Sequence, residues 1–253
     1  AVYQGIRDEL EAQGYNDGEQ VRIMHESAQG NAAIASQIAR KFVGEGPDVI
    51  VAIATPSAQT MAAAARQTPV VFSAVTDPVG AKLVKSLKAP GANITGVTDM
   101  LPIERHLDLL ERVVPDAKRI GTVYNPGEAN AVALVELLEE RLQARDMELV
   151  KAAATKTSEV LGAARSLVGK ADAIYLTTDN TVISAVEAVI SGGHRARVAP
   201  PPGATHPAAA PLLPLASTTT TTAARPAPWW PASWKVPTPV TWMWNPWTPW
   251  NCS

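Results

Sequence analysis

Cysteine is missing from the first 251 residues, tryptophan from the first 228, and Asp and Glu from the last 63. The first absence excludes disulfides over residues 1–190 and fits either side of a bacterial membrane. No run of about 18 apolar residues occurs, so no segment reads as a membrane span. No signal peptide is expected in these residues, because Ala1-Val-Tyr-Gln-Gly-Ile-Arg already reads as an amphipathic helix; a chain that starts inside a helix pattern is expected to lack its natural beginning. A net charge of −2 gives no electrostatic case for nucleic acid. G-x-S-x-G, H-E-x-x-H, Walker A and G-x-G-x-x-G motifs are absent, and His25 and His106 lack ligand spacing. No catalytic residue, no metal site and no cofactor are therefore expected.

What is present divides near Ile190. Residues 1–190 hold all 24 acidic residues against 18 Lys and Arg, a net charge of −6. Residues 191–253 hold four basic residues, all seven Trp, 13 of the 21 Pro and Cys252. The tail has no apolar period, and its prolines would interrupt any helix or central strand, so it reads as a non-folding Pro/Trp-rich segment.

Over 1–190, strands and helices alternate. A helix over 2–13 carries Val2, Ile6 and Leu10 on one face, and Val21–His25 alternates as a strand. A helix from Asn31 to Val43 is expected to stop at Gly44. Strand 49–54, helix 57–66, strand 70–73 and a helix near 79–87 follow. The pattern then restarts: helix 102–113 with Leu107, Leu110 and Val113 inward, strand 119–124, helix 130–145, strand 147–152, helix 157–168, strand 173–177 and a helix from Val182. This is an α/β chain of two Rossmann-like lobes with parallel sheets, 1–97 and 98–190, joined near Thr95–Pro102, with 191–253 outside both.

Four turns sit at strand carboxyl ends, where such sheets hold ligands. Thr55-Pro-Ser57-Ala58-Gln59 opens a helix; its amides either cap that helix or bind a carboxylate. Ser73-Ala-Val-Thr76-Asp77-Pro ends in an Asp that suits a cap for the 79–87 helix. Asn125-Pro-Gly-Glu128-Ala-Asn130 places a charge in a tight turn, where solvation is the ordinary outcome. Thr178-Asp179-Asn180 offers an Asp that either pairs with a ligand ammonium or N-caps the next helix. Hydroxyls, amides, a few carboxylates and helix N-termini suit a site that binds a small polar molecule without transforming it. A Rossmann-like transferase or epimerase, or a ligand sensor, would use the same equipment; a carboxylate pair with split pKa values would favour the enzyme.

The strings Ser27-Ala-Gln-Gly-Asn, Asp48-Val-Ile-Val-Ala-Ile-Ala-Thr-Pro-Ser-Ala-Gln, Val71-Phe-Ser-Ala-Val-Thr-Asp-Pro-Val-Gly-Ala, Asn93-Ile-Thr-Gly-Val, Tyr124-Asn-Pro-Gly-Glu-Ala-Asn and Thr178-Asp-Asn-Thr-Val resemble substrate-binding proteins of ABC importers of the tryptophan/tyrosine type. The resemblance runs over 1–190 almost continuously. It implies the type I periplasmic-binding fold, a hinge between lobes, and an amino acid, aromatic in this type, bound in the cleft. It implies an extracytoplasmic monomer, periplasmic or lipid-anchored, whose partner is a membrane permease. Ser57 with the amides of Ala58 and Gln59 would hold the ligand carboxylate, beside Ser73 and Thr76. Glu128, Asn130 and Asp179 would close from the other lobe, Asp179 near the amino group.

Two departures from that family follow. A first strand with its cleft turn is expected before Ala1, and the pattern stops at Ile190. Both imply weak or absent ligand binding and low stability. Every Thr codon is ACN, and one frame over it yields NAC, so Thr218–Thr222 can conceal Asp-Tyr-Tyr-Asp-His after Gly-Phe. The family has Gly-Phe-Asp-Tyr-Tyr in its return segment, so the tail reads as frameshifted from about residue 191.

Overall fold

The computed structural model describes residues 2–91, 93–195 and 222–223. They divide into two compact units with the boundary between Asp99 and Met100.

The first unit contains α1 (Val2–Ala12), α2 (Ala32–Glu45), β1 (Ile50–Ile53), α3 (Thr55–Ala64), β2 (Val70–Val75) and β3 (Ile94–Thr98). Asn31 caps α2, its side-chain oxygen accepting from the amides of Ala33 and Ile34 at 2.9 and 3.1 Å. The helix runs through Gly44 and ends at Gly46, which takes the left-handed conformation (φ 63°) and donates to Val43 O. Strands β1, β2 and β3 pair in parallel, Ile50 opposite Val70 and Val70 opposite Ile94. Gly96 allows the β2–β3 approach: a Cβ there would lie 2.0 Å from Phe72 O. Phe72 and Val75 are fully buried.

Two expected elements do not form here. Val21–His25 makes only an isolated bridge, Asp17 with Val21, because it has no ladder partner among the described residues. Residues 79–87 form successive turns, not a helix. Lys82 at φ 60° leaves helical geometry, and the amides of Leu83 and Val84 both turn back to Pro78 O.

The second unit contains α4 (Ile103–Val113), β4 (Arg119–Tyr124), α5 (Ala129–Gln143), β5 (Glu148–Ala153), a 3-10 turn (Thr157–Glu159), α6 (Val160–Ser166), β6 (Ala173–Ile174), α7 (Asn180–Ile183) and α8 (Val186–Arg195). Its sheet is parallel in the order β5-β4-β6. Ile120 and Val123, on opposite faces of β4, enter separate cores. One gathers Leu107, Leu110, Leu134, Leu138, Leu142 and Tyr175. The other gathers Val160, Ala164, Leu167, Val182 and Val189. Along α4 the inward set is Ile103, His106, Leu107 and Leu110, and Val113, three residues past the last of them, is 42% exposed.

Residues 222–223 form β7, which pairs antiparallel with Val97 and Thr98 and belongs with the first unit. The expectation of a non-folding segment from 191 fails at its start, because α8 carries on through Arg195; residues 196–221 and 224–253 of the segment read as frameshifted lie outside the described residues.

Candidate functional site

In the first unit, the turns after β1 and β2 are joined. The Ala54 amide donates to Ser73 O at 2.9 Å. Ala54 holds φ 72° and ψ 155°, and Ala74 holds φ 54° where the β2–β3 register slips between Phe72 and Val75. Alanine rarely adopts positive φ, and such geometry concentrates where function imposes it. The Thr55 side chain is 1% exposed, and its hydroxyl has no partner among the described residues.

Helix geometry leaves the first amides of α3 without internal acceptors. The Ala58 amide is past that point: it donates to Ala54 O at 3.0 Å, so it is spent in the helix. Gln59 also lies inside the ladder, and its side chain donates to Ala81 O at 3.1 Å. Of the expected carboxylate donors, the amide and hydroxyl of half-buried Ser57 therefore stand ahead of the ladder. Thr76 Oγ1 donates to Asp99 Oδ1 at 3.1 Å. Burial raises the Asp99 pKa, and this donor with the residue's own amide offsets only part of the rise. Asp77 Oδ1 accepts from the amides of Val79 and Gly80, so it caps a turn and not a helix.

In the second unit, one network brings together Asn125, Glu128, Asn130, Thr178, Asp179 and Asn180. Asp179 is fully buried; Oδ1 accepts from the Val182 amide at 2.9 Å and Oδ2 from the Asn125 amide. Glu128 is buried, not solvated, and its carboxylate grips the start of α7. Oε1 accepts from Thr181 N and Oγ1 at 3.0 and 2.7 Å; Oε2 accepts from Asn180 N and Nδ2 at 3.0 and 2.6 Å. Asn125 Nδ2 donates to Thr181 Oγ1 and its Oδ1 accepts from the Gly127 amide, both at 2.9 Å. Asn130 Nδ2 donates to Thr178 O at 2.8 Å.

The two carboxylates are split. Burial pushes Glu128 up, but the donors from Asn180 and Thr181 outweigh it and hold the group below its ordinary value. For Asp179 burial prevails over the amides of Asn125 and Val182, and the Glu128 charge adds to the rise. The split thus comes from burial at Asp179 and from the donors at the start of α7 that Glu128 holds. Both carboxylates are occupied by internal donors, so it does not favour proton-transfer chemistry. Sequence reasoning missed Thr181 and Thr177. Thr181 lies in the Thr178-Asp-Asn-Thr-Val string, in the first turn of α7 after its N-cap Asp179, where its hydroxyl meets Glu128 and Asn125. Thr177 is 2% exposed and its hydroxyl lacks a partner among the described residues.

Among the described residues, no group of three or more His, Cys, Asp and Glu is placed to hold a metal ion. No described helix is long and apolar enough to cross a membrane.

Comparison with known proteins places the chain. The family model for ABC transporter substrate binding protein matches residues 1–206. A tyrosine-binding protein of Clostridioides difficile (strain R20291) is 41% identical over 185 residues, 73% of this chain. The chain spans 54% of that relative's length. A conserved domain protein from Vibrio cholerae is 51% identical with a TM-score of 0.75, over 76% of this chain and 65% of that one. An ABC domain from Streptococcus pneumonia, solved in complex with L-Trp, is 35% identical with a TM-score of 0.75, over 77% and 66%. The family is one of binding proteins and not of enzymes, and the parallel α/β units carry its fold. The chain belongs to the ABC transporter substrate-binding protein family.

Proposed function

We propose that this chain is the extracytoplasmic solute-binding component of an ABC importer and that its ligand is an aromatic amino acid. The observation that carries the reading is the 41% identity, over 185 residues, to a protein named for tyrosine binding. A second relative, 35% identical, binds L-Trp in its crystal structure. The local chemistry supports it: the first unit offers the start of α3 and the Thr55 and Ser57 hydroxyls to a carboxylate, with Ser73 and Thr76 alongside. The second unit offers an ammonium the acceptor oxygen of Asn130, set among the negative charges of Glu128 and Asp179. The ligand is bound, carried and released unchanged. The partner is a membrane permease, the protein acts as a monomer, and nucleic acid has no part in its work.

Titration of the 15N-labelled chain with L-tyrosine and L-tryptophan, followed by NMR, tests this. Saturable shifts at Ser57 and around Asn130 are expected, with L-lysine and L-glutamate weaker. Equal response to all four amino acids, or none to any, defeats the reading.

A further inference from the structure

We propose that the open acceptor of the second unit is Asn130 Oδ1, and that it takes the ligand's ammonium group while Glu128 and Asp179 act as clamps behind it. This rests on the amino-acid reading above and assigns the amine contact away from Asp179.

The assignment follows from which acceptors are already used. Both oxygens of Asp179 hold backbone amides, and the side chain is fully buried. Oε1 of Glu128 holds two donors from Thr181, and Oε2 holds two from Asn180 and a longer one from Asn130, which fills the acceptor sites a carboxylate has. Asn130 is different. Its Nδ2 faces two acceptors, Thr178 O at 2.8 Å and Glu128 Oε2 at 3.4 Å, which fixes which way round the amide lies. Its Oδ1 then faces away from both, and among the described residues nothing donates to it. The side chain is 3% exposed, so an unmet acceptor there costs stability until a donor arrives.

Chemistry selects that donor. Oδ1 can only accept, so it refuses a ligand carboxylate, and the Glu128 charge beside it repels one further. An ammonium brings three donors and no acceptor. Glu128 also polarises the Asn130 amide through Nδ2, which makes Oδ1 a stronger acceptor than an isolated amide oxygen. A cation therefore meets a neutral, polarised contact backed by fixed negative charge.

The test compares L-tyrosine with 3-(4-hydroxyphenyl)propanoate, which lacks only the amine, on the wild-type chain and on Asn130→Ala. The wild type is expected to prefer L-tyrosine by about tenfold or more. In Asn130→Ala that preference collapses towards unity while the affinity for the deaminated ligand stays within about twofold. An undiminished preference in the variant overturns the proposal and leaves the amino-acid reading standing. Failure of the wild type to bind either ligand overturns both. Should Asn130→Ala not fold, the wild-type side-chain NH2 signals of Asn130 decide: a shift with L-tyrosine alone supports the assignment, and equal shifts with both ligands refute it.

Discussion

The Ala54 amide donates to the Ser73 carbonyl at 2.9 Å and ties together two turns whose alanines, Ala54 and Ala74, both hold positive φ. The geometry at Ala54 belongs to a region that only glycine occupies freely, and the cross-strand bond keeps it there. Ala54→Gly is expected to stabilise the chain by about 1 kcal/mol, the relief of strain exceeding glycine's entropy cost. Urea denaturation checks this; a lower midpoint would mean that the backbone is unstrained at this turn.

Thr55 carries a buried hydroxyl without a partner, a cost accepted where a ligand supplies the partner. Thr55→Val keeps the shape and removes the hydroxyl. The expected result is about 1 kcal/mol of added stability together with weaker amino-acid binding. Thermal melting and NMR titration on the same sample separate the two effects.

Glu128 fixes the acid side of the stability profile. Its pKa is held below the ordinary 4.5, so its contribution is complete above that value and is lost as pH falls through the folded-state pKa. Asp179, raised above 3.8, has the opposite sign: ionising it costs stability as pH rises through its folded-state pKa. Glu128→Gln puts an NH2 against donors from Asn180 or Thr181 and should cost about 2–3 kcal/mol at pH 7. The gap from wild type should narrow below pH 4.5, and a gap independent of pH would contradict the charged clamp.

His106 Nδ1 and the Tyr175 hydroxyl lie 2.8 Å apart in the core of the second unit, and His106 Nε2 has no partner among the described residues. Burial lowers the imidazole pKa below 6.5 and raises the phenol's. The stability tied to neutral His106 is full above pH 6.5 and declines as pH falls, because the unfolded chain takes up the proton first. Tyr175→Phe removes the partner of Nδ1 and is expected to cost about 1–2 kcal/mol. His106→Phe should flatten the slope between pH 7 and pH 5, measured as urea midpoints across that range.

Gly96→Ala places a methyl 2.0 Å from Phe72 O, against backbone that cannot step aside. A loss of about 3 kcal/mol is expected, read as a fall in the urea midpoint.

Alternating strands and helices were legible because apolar runs such as Ile50–Ile53 and Ile120–Val123 end at Pro- and Asn-bearing turns. The helix near 79–87 was misread because its apolar residues share a period with helices, while Pro78 and the positive φ of Lys82 impose turns that periodicity does not register. Val113 was misplaced because the buried stripe of α4 begins at Ile103 and closes at Leu110. At the site, the strand-end turns were visible in the sequence, but the duties of their side chains were not. Glu128 finds its donors 52 and 53 residues away, at Asn180 and Thr181, and no local spacing encodes such a partnership.

That long-range grip has a consequence for motion. Glu128 sits at the start of α5, and the amides it holds open α7, while Asp179 reaches back to the Asn125 amide. The two turns thus open together or not at all. The amide hydrogens of Asn125, Asn180, Thr181 and Val182 should exchange with solvent at a common rate, as one cooperative patch.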